Sequence, residues 1–237
     1  MLLERFLVPG QVALITGGSS GIGAAVATQL LTRGHAVAVT GRSEARLKEY
    51  ADEQGNPDNL LVLQGDAADH EAVVHAVTTT VERFGRLDHA IANAGYATHD
   101  DLVDGDPAGW RDMVLTNVLG PALLVNAAVP ALRETKGRIV MVGSVAGFVY
   151  TAGNIYGATK WAITGLAENT RLAVTADGIG VTLIAPGRTE TNFWADEKPE
   201  GILLSADQIA DSVVWALTQP EGVDVNTVVV RPIGQPR

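Results

Sequence analysis

Short apolar runs alternate along the chain with longer segments in which apolar residues recur every three or four positions. One such segment contains Val73, Val77 and Val81, the spacing of a helix that packs one face against a sheet. The short runs are continuously apolar, as expected of strands that helices cover on both sides. We therefore predict seven strands, at residues 12–16, 36–40, 60–63, 87–92, 138–142, 181–185 and 227–230.

This alternation of strand-like and helix-like segments predicts an α/β architecture. We expect a doubly wound, Rossmann-type fold in which a central seven-stranded parallel sheet is flanked by helices. Gly34, Gly85 and Gly178 each follow a helical segment, at a position that suits a left-handed residue. No Pro/Ser-rich linker, charge block or short repeat divides the chain, so a single domain is predicted over residues 1–237.

The composition excludes several classes of function. With 17 Lys and Arg residues against 27 Asp and Glu, the 237-residue chain has a formal net charge of −10. Such a surface repels a phosphate backbone, so no nucleic-acid partner is expected. The 46% of hydrophobic residues suffices for a packed core and argues against disorder. The chain has no cysteine, which excludes thiol nucleophiles and thiolate metal sites, and no metal is expected.

The chain is also predicted to stay outside membranes. Its best apolar run, at 122–132, is interrupted by Asn126 and Pro130, whereas a spanning helix needs roughly 18 nearly uninterrupted apolar residues. The first ten residues contain Glu4 and Arg5, and no clear export cleavage site follows them. A cytoplasmic location is therefore expected, and the lack of cysteine is compatible with it.

A glycine-rich turn follows the first strand and leads directly into a helical segment. Glycines at such a turn let the backbone approach a ligand, and the helix amino terminus offers free N–H groups to a pyrophosphate. A tight turn without a ligand is the alternative. The residues predicted to bind a dinucleotide here are Gly17, Ser19, Ser20, Gly21, Ile22 and Gly23.

The same turn also matches the Gly-x-Ser-x-Gly elbow of serine hydrolases, with Ser19 as the nucleophile. A hydrolase is therefore an alternative function. An elbow serine needs an acid and then a histidine downstream, whereas all five histidines lie at or before His99. The sequence thus favours the dinucleotide interpretation.

The end of the second strand predicts which dinucleotide is bound. An acidic side chain at that point would accept a hydrogen bond from the ribose 2′-hydroxyl of NAD. The chain has Arg42 there instead, and its permanently charged guanidinium suits the 2′-phosphate of NADP. We predict NADP (NADPH) as the cofactor, with NAD less favoured. The alternative is that Arg42 is a solvated loop cation.

Three side chains have the arrangement needed for acid–base chemistry. Ser144 lies near the end of the fifth strand, and Tyr156 and Lys160 are four residues apart on one face of a predicted helix. An ammonium about 4 Å from a tyrosine in a desolvated cleft lowers its pKa from about 10 by about 2 to 3 units. Lys160 is therefore expected to lower the pKa of Tyr156. The alternative, a surface Tyr–Lys pair, is disfavoured by the glycine turn upstream.

The glycine turn and Tyr156-x-x-x-Lys160 together resemble the short-chain dehydrogenase/reductase family, over nearly the whole chain. The resemblance implies that Asn117, Ser144, Tyr156 and Lys160 are catalytic, with Asn117 holding a water that connects Lys160 to solvent. It also implies further cofactor contacts, although ordinary loop capping is an alternative for several of them. These contacts are Asp66 and Ala67, Asn93, Ala94 and Gly95, Tyr156 and Lys160, and Pro186, Gly187, Thr189 and Thr191.

The resemblance implies an NADP(H)-dependent oxidoreductase of class EC 1.1.1 that transfers hydride between nicotinamide and a carbonyl or alcohol. Its partner would be a small molecule, in a ketone or aldehyde reductase or an alcohol or 3-hydroxy acid dehydrogenase. The carboxyl-terminal region resembles the branch that acts on 3-hydroxy acids and small alcohols. A catalytically silent NADP-sensing protein is the alternative, and its signature would be a missing Ser, Tyr or Lys.

The substrate pocket is predicted to be apolar and aromatic. Only 13 residues, 192–204, separate Thr191 from Ser205, where the next helix is expected to begin, so the segment covering the substrate is short. Arg188 is a candidate to bind a substrate carboxylate, with a surface role as the alternative. Phe193 and Trp194 are expected to cover the substrate, and Tyr96, Phe148, Val149 and Tyr150 to line its walls.

The resemblance also implies assembly through two long helices, at about 107–133 and 153–176. The second helix carries Trp161, Ile163, Leu166 and Ala167, more apolar residues than one sheet-facing stripe requires. A homotetramer is predicted, with a homodimer as the alternative.

Overall fold

The computed structural model describes residues 10–194 and 199–235. Each predicted strand coincides with an observed one to within two residues. The strands are β1 (Val12–Thr16), β2 (Ala36–Gly41), β3 (Leu60–Gln64), β4 (His89–Ala92), β5 (Arg138–Val142), β6 (Gly180–Pro186), a short pair formed by β7 (Thr189–Glu190) and β8 (Leu204–Ser205), and β9 (Thr227–Val230). The main sheet has seven parallel strands in the order β3-β2-β1-β4-β5-β6-β9.

Helices cover both faces of the sheet, as the continuous apolar strand runs predicted. They are α1 (Gly21–Thr32), α2 (Glu44–Glu53), α3 (His70–Phe84), α4 (Ala108–Val114), α5 (Gly120–Thr135), α6 (Ile155–Val174) and α7 (Ala206–Leu217). One buried cluster joins the sheet to α3, α5 and α6, and a second joins it to α1, α2 and α7. The predicted doubly wound, Rossmann-type fold is confirmed.

The strand order reverses at β1, which pairs with β2 on one side and with β4 on the other. The loops that leave the carboxyl ends of β1 and β4 therefore diverge and open a crevice between them. In sheets of this kind ligands bind at such a point. The topology thus directs the search for a site to the carboxyl edge of the central strands.

The helix predicted at 107–133 is not continuous in the structure. A π-helical turn, Leu115–Leu119, separates α4 from α5, and the N–H of Gly120 bonds the carbonyl of Leu115, five residues back. Pro121 follows and has no N–H, so an α-helical bond from it to the carbonyl of Asn117 cannot form. Pro121 could have indicated this break, but the prediction used only the spacing of apolar residues, which does not detect a missing N–H.

The helical segment Ala108–Thr135 is long and apolar enough to cross a membrane by length and composition alone, although the sequence analysis found no such segment. The sequence analysis required an unbroken apolar run. Asn126 and Pro130 interrupt this segment, but its mean hydropathy stays high. In the structure Leu124 and Leu132 of this segment are buried against the sheet. The segment thus packs as a core helix packs.

Two histidines are buried together at the amino-terminal edge of the sheet. The rings of His35 and His89 lie 6.4 Å apart, and the charged groups around them are Asp88, Arg33, Arg86 and Arg138. Burial lowers the pKa of His35, and it lowers the pKa of His89 to about 4. The charge of Asp88 opposes both shifts, and the charge of Arg138 lowers the pKa of His89 further. Both imidazoles are therefore neutral in the folded protein at neutral pH.

We expect the folded protein to lose stability as the pH falls from about 6.5 to about 4. The unfolded chain binds protons on these imidazoles in that interval and the folded chain does not, so the loss from His89 is on the order of 3 kcal/mol. Urea unfolding at the two pH values checks this. His89→Leu should remove much of the pH dependence, and His75→Leu, on the exposed face of α3, should not. Equal pH dependence in all three proteins would contradict the assignment.

Candidate active site

A cavity of about 770 Å³ opens at the carboxyl edge of the central strands. It extends between the loop after β2 and the loops after β5 and β6, and its size suits a cofactor together with a small substrate. All of the predicted cofactor-binding and catalytic residues line it, with the exception of Gly23 and Asn117. The structure therefore brings together predicted residues that are as much as 177 positions apart, from Gly17 to Trp194.

The glycine-rich turn forms the floor of one end of the cavity and leads into α1. Gly17 and Gly21 have φ angles of 65° and 54°, which side-chain-bearing residues rarely adopt. Ser20, the N-cap of α1, makes no capping bond with its side chain, and the first turn of the helix has no acidic residue. The positive end of the helix is thus left for an anionic ligand, which fits the pyrophosphate of a dinucleotide.

Asn93 holds this turn in place from the neighbouring strand. Its side-chain amide donates hydrogen bonds to the carbonyls of Thr16 at 3.1 Å and Gly17 at 3.0 Å. A Cβ on Gly23 would lie 2.4 Å from that same amide nitrogen, so Gly23 is needed for packing. Gly23, predicted to bind the cofactor, does not line the cavity and acts on the turn through Asn93 instead.

The far end of the cavity is cationic. Arg42 lines it after β2, and its guanidinium carbon lies 5.8 Å from the centre of the Tyr96 ring. Ser43 and Arg46 line it as well, although the sequence analysis did not identify them. The spacing of the arginines could have indicated Arg46, because it lies four residues after Arg42, in the first turn of α2. Asp66 also lines this end, and its carboxylate accepts the N–H of Ala68 at 2.9 Å.

Ser144, Tyr156 and Lys160 meet in the middle of the cavity wall. Asn154 caps α6 by accepting the N–H of Gly157 at 2.7 Å, and the helix then presents Tyr156 and Lys160 one turn apart. The Lys160 ammonium is buried, with Nζ donating to the carbonyl of Val142 at 3.2 Å and lying 5.5 Å from the Tyr156 ring centre. The three side chains therefore surround one small region of the cavity.

The pKa of Tyr156 differs from the sequence prediction. Burial raises it to about 12, and a hydrogen bond with Ser144 acts in the opposite direction. Burial also lowers the pKa of Lys160 to about 8. The expectation that Lys160 depresses the pKa of Tyr156 is not met in the protein alone, because burial of the phenol is the larger influence and the hydrogen bond with Ser144 is what opposes it. Tyr156 is consequently a neutral hydrogen-bond donor near pH 7.

Asn117 lies behind the cavity wall rather than on its surface. It is 2% exposed, its side-chain oxygen accepts the N–H of Tyr96 at 3.1 Å, and its amide donates to the Tyr96 carbonyl and to Thr159 Oγ1. The side chain thus ties the loop after β4 to α6. Pro121 leaves the backbone carbonyl of Asn117 without an α-helical donor.

The substrate end of the cavity is aromatic, as predicted, but with a different set of residues. Phe193 and Trp194 line this end, Tyr96 lines the cavity beside Arg42 instead, and Phe148, Val149 and Tyr150 do not line the cavity. Tyr150 is 86% exposed and stacks on Trp161 at 5.2 Å, because the backbone after β5 turns this segment outward. Thr98 and His99, from the loop after β4, line the cavity although the sequence analysis did not predict them.

Arg188 also lines the cavity, and its Nη1 donates to the carbonyl of Glu200 at 3.1 Å. The segment predicted to cover the substrate, 192–204, includes residues 195–198, which lie outside the described residues. Within the described part, Trp194 Nε1 donates to the carbonyl of Thr189 at 2.8 Å. This bond ties the covering segment to the loop after β6.

Sequence comparisons agree with this geometry. Residues 11–201 match the family model described as short chain dehydrogenase. An uncharacterised oxidoreductase of Staphylococcus epidermidis is 34% identical over 229 residues, which cover 95% of this chain and 99% of the relative. Another, from Staphylococcus saprophyticus, is 33% identical and covers 94% of this chain and 97% of its own length.

Solved structures of similar fold include two that carry a nicotinamide cofactor or a derivative of one. An alcohol dehydrogenase from the archaeon Thermococcus sibiricus, complexed with 5-hydroxy-NADP, has a TM-score of 0.87 and 28% identity and covers 95% of this chain and 97% of its own. A serine dehydrogenase complexed with NADP⁺ has a TM-score of 0.89 and 29% identity, with coverage of 95% and 96%.

Proposed function

Because the chain belongs to the short-chain dehydrogenase/reductase family of oxidoreductases, we propose that it is an NADP(H)-dependent enzyme that interconverts a carbonyl and an alcohol on a small molecule. The observation that carries the proposal is the meeting of Ser144, Tyr156 and Lys160 on the wall of a cavity whose far end is cationic. A bound nicotinamide would supply the hydride. The remaining chemistry falls to side chains of this protein.

Tyr156 is suited to protonate the carbonyl oxygen during reduction. With a pKa raised to about 12 it keeps its proton near pH 7, and Ser144 stands beside it to bind the same oxygen. Lys160 would bind the nicotinamide ribose and help to return the proton. The side chain of Asn117 would position the loop that contains Tyr96. Its backbone carbonyl would hold a water through which the proton returns.

The preference for NADP rests on the cationic end of the cavity. Arg42 and Arg46 both line it, and neither of the two residues directly after β2, Arg42 and Ser43, carries a carboxylate that would repel a 2′-phosphate. The NADP-type ligands of the two similar structures support the same proposal for this chain. The NAD(H) alternative is less favoured because it leaves two cations without a ligand.

We expect Arg42→Ala to raise the KM for NADPH by about tenfold, with little change for NADH, because only NADPH has the 2′-phosphate. Initial rates with both cofactors and a panel of aldehydes, ketones and 3-oxo acids give the two KM values. The same rates test whether the protein reduces carbonyl compounds. Arg33→Ala is the matched control, since this exposed arginine at the end of α1 donates its Nη1 to the carbonyl of Gln29 and does not line the cavity. An equal effect of Arg42→Ala on both cofactors would contradict the 2′-phosphate role.

A catalytically silent NADP sensor would lack one of the three reactive side chains, whereas Ser144, Tyr156 and Lys160 all line the cavity. We therefore favour catalysis, and family membership disfavours hydrolysis through Ser19. We further propose a single domain, a cytoplasmic location and a homotetramer, with a homodimer as the alternative. Trp161 at 38% and Leu172 at 62% exposure on α6 support an assembly through that helix.

A further inference from the structure

We propose that the substrate end of the cavity selects an uncharged carbonyl compound with an aromatic substituent. In this proposal Phe193 is the residue that binds the substituent and His99 is the residue that positions Phe193. The inference rests on the proposed function, because it places the reacting carbonyl beside Tyr156. It goes further by specifying the chemical class of the substrate.

The first argument is the position of Phe193 relative to the reacting group. Its ring centre lies 5.3 Å from that of Tyr156, with an angle of 57° between the planes, and both rings line the cavity. A carbonyl oxygen bound by Tyr156 and Ser144 places one substituent of the carbonyl carbon against the Phe193 ring. Aromatic rings at such separations prefer offset or edge-to-face contacts, so an aryl group fits this place.

The second argument is that neighbouring groups fix Phe193. The Nε2 of His99 lies 3.0 Å from the carbonyl oxygen of Phe193, so a proton on Nε2 completes a hydrogen bond in either the neutral or the charged imidazole. The His99 ring also meets the Phe193 ring edge to face at 5.3 Å and stacks on Trp194 at 5.9 Å. Trp194 in turn bonds to the carbonyl of Thr189. Phe193 is thereby held as a preformed wall.

The third argument is the distribution of charge. The described cations that line the cavity are Arg42 and Arg46 at the cofactor end, Lys160 beside Tyr156, and Arg188. Arg188 donates one N–H to the carbonyl of Glu200, and no ring contact joins it to Phe193 among the described residues. The rings in contact with Phe193 belong to Tyr156, His99 and Trp194. A carboxylate placed against Phe193 would lose water among these aromatic rings, which is unfavourable. This favours a neutral aryl ketone or aldehyde over a short 3-oxo acid.

The test compares acetophenone, butanone and acetoacetate at saturating NADPH. We expect kcat/KM to be about a hundredfold higher for acetophenone than for either small substrate, the range that apolar pocket contacts provide. Phe193→Ala should lower kcat/KM for acetophenone by about 20-fold and change that for butanone by less than about threefold. Phe148→Ala is the matched control, because this phenylalanine is exposed and lies outside the cavity lining, and it should change neither value.

His99 is tested by two variants. His99→Ala should raise the KM for acetophenone by about fivefold with little change in kcat or in NADPH affinity. His99→Gln restores an N–H near the position of Nε2 and should recover part of that loss, which a purely structural role would not predict. Failure of His99→Gln to recover any of the loss would overturn the positioning role.

The outcomes separate this inference from the function on which it depends. A preference for acetoacetate, or an equal loss of activity toward all three carbonyls in Phe193→Ala, overturns the inference while leaving NADPH-dependent reduction intact. Absence of turnover with every carbonyl and with both NADPH and NADH overturns the proposed function and this inference with it.

Discussion

Replacement of Tyr156 by Phe is expected to reduce turnover by about three orders of magnitude while NADPH still binds. The variant keeps the ring that packs against Phe193 and removes only the hydroxyl that would protonate the substrate oxygen. Since the pKa of Tyr156 is raised to about 12, the hydroxyl carries its proton throughout the neutral range and is ready to act as an acid in reduction. Oxidation requires the phenolate, so its rate should rise with pH.

The matched control is Tyr50→Phe. Tyr50 is also buried and burial also raises its pKa, but its hydroxyl bonds Thr28 at 3.2 Å, away from the cavity. Its loss should leave turnover unchanged. Steady-state rates and a fluorescence titration with NADPH measure the two properties separately. Retention of more than about a tenth of the activity in Tyr156→Phe would contradict the assignment of the proton donor.

Replacement of Lys160 by Met is the second large effect that we expect, a fall in kcat/KM of about a hundredfold. The ammonium is buried, bonds the carbonyl of Val142 and would bind the cofactor ribose beside Tyr156. Burial lowers the pKa of Lys160 to about 8, so the charge is present below that pH and is lost as the pH rises through it. Reduction by the unmodified enzyme should therefore decline above about pH 8.

The pH profile distinguishes this role from a structural one. The residual activity of Lys160→Met should not show the decline near pH 8, because the group that titrates there has been removed. Lys48→Met is the control, since Lys48 is exposed on α2 and pairs with Asp52. A decline of the same shape in Lys160→Met would assign the titration to another group and contradict the account.

Much of the fold was predictable because strands that are buried on both faces of the sheet are continuously apolar in the sequence. Strands such as β1 and β5 are continuously apolar, and their predicted bounds match the structure. The relation between Tyr156 and Lys160 was also predictable, since it depends only on helical spacing. In contrast, the π-helical turn depends on one missing N–H at Pro121, a local effect that hydrophobic periodicity does not register.

The errors in the site came from effects that act across distant parts of the chain. Phe148 and Tyr150 have the composition of pocket walls, but the turn after β5 sends them to the surface. His99 reaches the cavity only because the loop after β4 folds toward Phe193, 94 residues away. The direction of the pKa shift of Tyr156 depends on how deeply the phenol is buried, and no sequence spacing supplies that depth.

The most direct test of the account uses NADPH that carries deuterium on the transferable position of the reduced nicotinamide, incubated with the protein and an aryl ketone. Mass spectrometry of the product should find one deuterium, bonded to the carbinol carbon, with oxidation of an equal amount of NADPH. An alcohol free of deuterium, or consumption of NADPH without any alcohol, would contradict the claim that this cavity transfers hydride to a carbonyl.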